Sequence, residues 1–421
     1  MRFLHTLVIS VLLFLTGCNA AADKVSAEEL PSPTPFQSLT NIASDAPYSD
    51  SAPTPVYLPT LTPLPPFTPT PFLIMPEYIP ADAMIPAFTV TTTLNPLTGL
   101  PPVDPALLQR RPMAIKVANY PRYMRPQSGL TLADQVFEYY IEDGLTRFIA
   151  VFYGNDSEWV GPVRSGRYFD EHVQRMYHAF LVFKFADPRE LGYFQGSEFA
   201  DLLLTPTNGS CPPFHFLTER EQTVEPYNNS YFNTTLMADC ALRGGKDNSP
   251  QIIRDGLFDA APPAAGLGGI KISTHYSADS YHYWLYSPQD QQYYRYQEIA
   301  DVRDGKEGSY APLVDRVTSQ HVHAANVVVM LAYHSFANEY DEDDEVFKID
   351  LTGSGEAYVF RDGIGIPAKW YRTNPDQPLY FATLDGAPIY LRPGITFYEV
   401  IGSRSFVEQA SGEWNFRHDP P

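Results

Sequence analysis

An α+β fold carried behind a long unfolded tether is the architecture this 421-residue chain predicts, and three observations predict it. Residues 95–258 mix strand-like and helix-like segments, which suits a mixed α/β N-terminal domain. Residues 270–405 are dense in short strand-like runs punctuated by Asp304-Gly305, Asp362-Gly363 and Asp385-Gly386, which suits a mainly β C-terminal domain. Residues 19–94 are dominated by Pro, Thr, Ser and Ala, a composition that cannot bury enough apolar area to offset its ordering entropy.

The first eighteen residues read MRFLHTLVISVLLFLTGC, with Arg2 ahead of an apolar run from Leu7 to Leu15 and then Thr16-Gly17-Cys18. This is the pattern of a lipoprotein signal peptide ending in a lipobox. Small residues at Thr16 and Gly17 let the chain enter a peptidase cleft, and the Cys18 thiol is the nucleophile that takes the lipid. Two acyl chains on one cysteine give stable anchoring, so the expected first partner is a lipid bilayer, and the expected location is extracytoplasmic. The later apolar runs, Ala179 to Ala186 and Asn326 to Tyr333, have strand length rather than the length of a span.

The tether carries Thr-Pro steps at Thr34, Thr54, Thr62, Thr68 and Thr70. Proline favours polyproline II, which gives such a segment a reach on the order of 100–200 Å. A net charge of −20 and a pI near 4.8 oppose nucleic acid as a partner, since its phosphates would be repelled. Between the two expected domains, Asp259 to Gly269 is small, Pro- and Gly-rich, and marks the boundary. Residues 406–421 read as a tail.

Within the first domain, Met113 to Val117 reads as a strand, and Arg125-Pro126-Gln127-Ser128-Gly129 as a turn. Val136 to Glu142 alternates strictly, with Phe137, Tyr139 and Ile141 on one face. Asp143-Gly144 follows and leads into an apolar strand, a β-hairpin signal because this dipeptide supplies the positive φ angles of a type I′ turn. A two-residue loop would put Tyr140 opposite Arg147 and Glu138 opposite Ile149, so that Glu138, Glu142 and Arg147 share a face. A helix is expected over Arg164 to Ala179, with Arg164 and Arg167 at its start beside Ser165 as an anion-binding candidate. The bland alternative is a salt-bridged sheet face covered by a helix or by the second domain.

Cys211 and Cys240 either pair, stabilising the fold by about 3 kcal/mol, or remain buried thiols. His321 and His323 share a strand face but signal no third ligand, so no metal or other cofactor is expected. The run Asp341 to Glu345 lacks the spacing of a calcium loop and reads as a solvated hairpin tip. The aromatic stretches around Tyr281–Tyr286 and Tyr293–Tyr296 read as a hairpin burying one face. Glu138 and Glu142 are about 13 Å apart along a strand, too far for a paired-carboxylate glycosidase at roughly 5–9.5 Å.

Several stretches resemble the YerB-like lipoproteins: Asn95 to Leu100 (NPLTGL), Arg111-Pro112, Arg125 to Leu130 (RPQSGL), Ala133-Asp134, Asp143 to Phe152, and Gly161 to Arg167 (GPVRSGR). The C-terminal half adds Gly353 to Gly363, Trp370 and Leu391-Arg392-Pro393-Gly394. The resemblance implies a two-domain lipoprotein built from domains of unknown function, and it brings no reaction with it. Where that family is expected to read Pro-His-Asn, this chain reads Pro226-Tyr227-Asn228, which counts against a mechanism resting on the histidine.

The expected function is a membrane-anchored, non-enzymatic binding or scaffold protein of the cell envelope, meeting a cell-wall polymer or an envelope protein. The ligand-contacting candidates are Arg125, Gln127, Ser128, Glu138, Glu142, Arg147, Arg164, Ser165, Arg167 and Asn228. The alternative is a hydrolase of cell-wall glycan or peptide. Cys18→Ala should abolish labelling of the protein by a fatty-acid analogue in growing cells, and a mutant that still takes the label would refute the lipobox.

Overall fold

The computed structural model describes residues 93–206, 211–217, 228–253, 257–337 and 346–420, so the lipobox with Cys18, the tether, Tyr227 and the acidic run Asp341 to Glu345 lie outside the described residues. All of the described residues fall in one compact unit.

The first half contributes β1 (Met113–Ala118), β2 (Gln135–Tyr140), β3 (Thr146–Phe152), α1 (Asp170–Tyr177), β4 (Phe180–Val182), α2 (Pro188–Gln195), β5 (Leu203–Leu204), β6 (Phe214–Phe216), β7 (Ser230–Phe232) and α3 (Met237–Gly244). The second half contributes β8 (Leu267–Gly268), β9 (Lys271–His275), β10 (Tyr281–Ser287), β11 (Gln292–Glu298), β12 (Tyr310–Pro312), β13 (His323–Ala324), β14 (Asn326–Phe336) and β15 (Phe347–Asp350). It continues with β16 (Gly353–Arg361), β17 (Ile364–Arg372), β18 (Tyr380–Thr383), β19 (Thr396–Gly402), β20 (Phe406–Ala410) and β21 (Glu413–Arg417). The fold is α+β, with a β-rich C-terminal half.

The two halves are not two separate sheets. One 12-stranded mixed sheet runs β18-β17-β16-β14-β19-β2-β3-β1-β4-β5, with β15 paired to β14 and β8 to β17, and its seam is the parallel pairing of β19 with β2. A second sheet of seven strands, β12-β11-β10-β9-β21-β20 with β13, packs on one face of the first. Helix α1 covers the other face through Val173, Met176 and Tyr177. Central strands buried on both faces read as near-continuous apolar runs, which is why Val327 to Ala332 shows no alternation.

Strand alternation assigns each side chain to one face. Val136, Tyr140, Phe148 and Ala150 point towards the seven-stranded sheet and meet Trp284, Phe397, Val327 and Val329. Phe137, Tyr139, Ile149 and Val151 point towards α1 and Phe169. The Asp362-Gly363 loop forms the expected two-residue hairpin, with Arg361 opposite Ile364 and φ of 55° and 73° at the two loop residues.

Three expectations are corrected. Residues 406–417, read as part of a tail, form β20 and β21, and β21 lies parallel to β9 with Trp414 and Phe416 buried in the core. The helix expected from Arg164 is confined to Asp170–Tyr177. Gly161, Pro162, Val163 and Gly166 disfavour helix, and the segment hydrogen-bonds instead as an extended chain, Val163 N to Ser230 O at 2.7 Å and Arg164 N to Lys116 O at 3.2 Å.

The third correction is the hairpin register. Asp143 and Gly144 do take positive φ, and Leu145 N donates to Glu142 O at 2.9 Å. The carbonyl of Leu145, however, accepts from Ile141 N at 2.9 Å, so Ile141 and Glu142 together oppose Leu145 and a β-bulge precedes the turn. Tyr139 then faces Arg147, and Glu138 faces Phe148. A one-residue slip moves side chains to the opposite face, so Glu138 parts company with Arg147.

The closing strands are structural, so Trp414→Ala should cost about 3–5 kcal/mol in a denaturant titration. A midpoint unchanged from wild type would show that β21 does not belong to the cooperative unit.

Candidate functional site

The bulge divides the expected constellation between two environments. On the α1 side, Arg147 is 6% exposed and donates to Ser165 O at 3.0 Å, with Glu142 Oε1 at 3.4 Å. Arg167 holds Glu142 with two nitrogens, its Nε to Oε2 at 2.7 Å. Beneath them Lys116 is fully buried, bonded to Asp170 Oδ1 at 2.9 Å and to the Tyr139 hydroxyl, which itself bonds Asp170.

Burial depresses the Lys116 ammonium to about 7, against the pull of Asp170. Burial and the neighbouring Arg167 bring Arg147 down to about 9. Burial lifts Glu190, which lies 3.6 Å from Arg167, to about 7. Glu142 is held below the usual carboxylate range because Arg167 and Arg147 outweigh its burial. Arg147 therefore serves as an interior counter-charge, the covered-face alternative for this residue.

Arg164 and its surroundings are different. Arg164 is partly exposed and donates to Asn228 Oδ1, and Asn228 Nδ2 donates to the Tyr123 hydroxyl at 3.0 Å. Asn228 is buried and fixes both side chains, whereas Tyr123 is 49% exposed. Beside Arg164, Lys184 lies 5.3 Å from the ring centroids of both Phe185 and Phe216, and 3.3 Å from Asn229 Oδ1.

Tyr123 also opens a cleft of about 510 Å³ whose walls include Arg122, Pro126, Ile299, Pro312 and Val314. At its base Arg125 Nη2 holds Glu298 Oε1 at 2.6 Å, joining the two halves of the chain. Burial raises Glu298 above its ordinary value despite this partner. Of the remaining expected residues, Gln127 and Ser128 are buried and hold backbone: Gln127 Nε2 donates to Ala118 O at 3.1 Å, and Ser128 N to Gly161 O at 2.9 Å.

Glu138 enters a buried ionic cluster on the other face. It sits directly beside Glu399 on the paired strand β19, and Arg295 of β11 bridges them, at 2.6 Å to Glu138 Oε2 and 3.3 Å to Glu399 Oε1. His282 Nε2 and Trp284 Nε1 each lie 2.8 Å from Glu399 Oε1, and Thr146 and Asn119 donate to Glu138 Oε1 at 2.6 and 3.0 Å. Burial keeps His282 neutral, well below the usual histidine range, with Arg295 adding to the effect. The donor atoms of Glu138, His282 and Glu399 lie within 4.8 Å of one another, a geometry a metal ion could use, but Arg295 already supplies the positive charge there.

Sequence reasoning missed Lys116, Asp170, Arg295 and Glu399, whose roles depend on pairings remote in the chain. It also missed Lys184 with Phe185 and Phe216, although the alternation Phe183-Lys184-Phe185 was a visible signal of one exposed edge. His321 and His323 bond backbone carbonyls, at 2.5 Å to Arg295 O and 2.9 Å to His321 O respectively. Cys211 and Cys240 have Cα atoms 5.4 Å apart, within the span of a disulfide.

One mixed sheet drawn from both halves of the chain, sealed by a buried ionic cluster and flanked by an aromatic and basic surface, defines the class: a two-part α+β protein. Family models described as "Protein of unknown function (DUF3048) N-terminal domain" and "C-terminal domain" match residues 97–245 and 272–398, and the chain belongs to this family. It is 25% identical over 330 residues to "Putative lipoprotein YerB" of Bacillus subtilis (strain 168), covering 76% of this chain and 89% of that protein. The crystal structure of YerB protein from Bacillus subtilis matches with a TM-score of 0.58 at 24% identity, over 73% of this chain and 96% of that one, and shows the same fold.

Lys116 leaves a signature in pH. Its proton is lost near 7 in the folded state and near 10.5 in the unfolded chain, so below 7 its desolvation opposes folding in full. Between those values the unfolded state binds the extra proton, and the contribution to stability rises with pH. The wild-type denaturation midpoint should therefore climb relative to that of Lys116→Met between pH 7 and 10.5. Parallel profiles for the two proteins would contradict the buried, depressed lysine.

Proposed function

We propose that this protein is a lipid-anchored, extracytoplasmic binding protein of the cell envelope, whose ligand lies across Arg164, Tyr123 and the adjoining cleft. The lipid anchor would be the acylated Cys18, and the partner a cell-wall polymer or envelope protein. The observation that carries this reading is the division of labour between buried and open groups.

Two clusters of titratable side chains within hydrogen-bond reach, Lys116 with Tyr139 and Asp170, and Glu138 and Glu399 with Arg295 and His282, are sealed in the interior, and the partly exposed Glu142 is closed by Arg147 and Arg167. The cleft instead offers apolar walls and a guanidinium–carboxylate pair already closed on itself. A volume in the range of ligand pockets, apolar lining and a few fixed polar groups suit binding. A hydrolase of glycan would need a second carboxyl group about 5–9.5 Å from Glu298, and the described residues lining the cleft include none.

The test is co-sedimentation of the mature protein with insoluble cell-wall fragments. Wild type should be retained and Tyr123→Ala weakened by about tenfold, the effect expected for an exposed aromatic contact. Absence of retention would remove the binding reading, and release of soluble sugar or peptide from the fragments would establish the hydrolase instead.

A further inference from the structure

We infer that Lys116 and Asp170 condense into an intramolecular amide, a covalent brace between β1 and the start of α1 that is independent of the binding reading. Lys116 lies in β1, and Asp170 opens α1 54 residues further on. Both side chains are fully shielded from water, and Lys116 Nζ stands 2.9 Å from Asp170 Oδ1. An amine and a carboxyl group held this close have an effective concentration far above any reached in solution.

The fold fixes both groups. β1 is an inner strand, with β3 on one side and β4 on the other, and Lys116 is in register with Ile149. Its side chain points to the α1 face, where the rings of Tyr139 and Phe169 pack with centroids 4.2 Å apart. Asp170 Oδ2 accepts from the main-chain N–H of Arg167 at 2.8 Å, which holds the carboxyl group in place.

A dry interior favours condensation. In water the ammonium and the carboxylate are both hydrated and the ion pair persists, whereas in the interior that hydration is lost and a neutral amide ends the cost of burying two charges. Burial depresses the ammonium to about 7 against the pull of Asp170, and Arg147 and Arg167 add to the effect, so the nitrogen lone pair is free near neutral pH.

The Tyr139 hydroxyl bonds both Nζ and Oδ1, in the position of a proton relay between them. Nζ attacks Cγ and the N–C bond forms, while the charge that develops on Oδ2 meets the Arg167 N–H. The Cγ–Oδ1 bond then breaks, and Oδ1 leaves as water with two of the three ammonium protons. The ion pair and the products are both neutral overall, so no further reactant is consumed.

The experiment is peptide mass mapping of the full mature protein, unfolded and reduced before digestion. A branched peptide should appear that joins the segment containing Lys116 to the segment containing Asp170, lighter than their sum by one water. Lys116→Met and Asp170→Ala should each yield only linear peptides. Tyr139→Phe keeps the buried ring, and after refolding it should form the branched peptide about a hundredfold more slowly than wild type.

Recovery of Lys116 and Asp170 in separate linear peptides would overturn the inference, whatever the wall-fragment assay returns. Water lost instead at an Asp-Gly step such as Asp143-Gly144, with no branched peptide, would overturn it as well. The pH profile described for Lys116 belongs to the freshly folded, uncondensed chain, since the amide nitrogen no longer titrates. Aged wild-type protein should therefore lose that profile as the branched peptide accumulates, and a profile that persists unchanged would count against the bond.

Discussion

Two carboxylates side by side on the seam of the principal sheet demand a cation, and Arg295 is that cation. Glu138 and Glu399 are in register on β2 and β19, the strands that join the two halves of the chain. Like charges in such a pair repel, and both are removed from water, so the pairing is tolerable only with Arg295 between them and with Trp284, His282, Thr146 and Asn119 satisfying the remaining lone pairs. Because Arg295 comes from the seven-stranded sheet, the same contact fixes how that sheet lies on the first. Buried ion clusters of this kind add little net stability over well-packed apolar groups, whereas loss of Arg295 alone would leave two carboxylates buried without their counter-charge.

The opposite face of the sheet solves a similar problem with a different outcome. Lys116 and Asp170 close on one another in the interior, and Arg147 and Arg167 close on Glu142 nearer the rim. Arg164 is carried past this network because Gly161-Pro162-Val163 keeps its segment extended and bonded to β7, where Asn228 receives it. The basic and aromatic surface is thus a by-product of a segment that does not become helix.

Much of this was legible from residue order. The mixed architecture followed from strand-like and helix-like stretches, and the Asp-Gly turns were correctly placed because their backbone requirement is local. The hairpin register was not legible: a bulge at Glu142 depends on which atoms Leu145 bonds, and alternation alone cannot reveal an extra residue. That one residue moved Glu138 into the interior. Strands β20 and β21 were overlooked because their burial depends on β9, far away in sequence, while Glu408 to Glu413 is polar enough to read as tail. The partners of Lys116 and Glu138 were invisible for the same reason. Arg164 and Asn228, by contrast, were both singled out from sequence, and the structure brings them together.

The parallel seam also sets the order in which the chain can be completed. Strand β2 gains β3 as a neighbour within a few residues, but its other edge stays bare until β19 arrives about 260 residues later. Throughout synthesis the nascent first half presents Gln135 to Tyr139 as an unpaired strand edge, a template that foreign strands could adopt. Such long-range pairing is slow to form and leaves partly built molecules prone to sticking. Glu138, set in the middle of that edge, works against this: its native mate β19 brings a second carboxylate at Glu399, so the edge closes only where Arg295 of β11 stands ready to bridge the two.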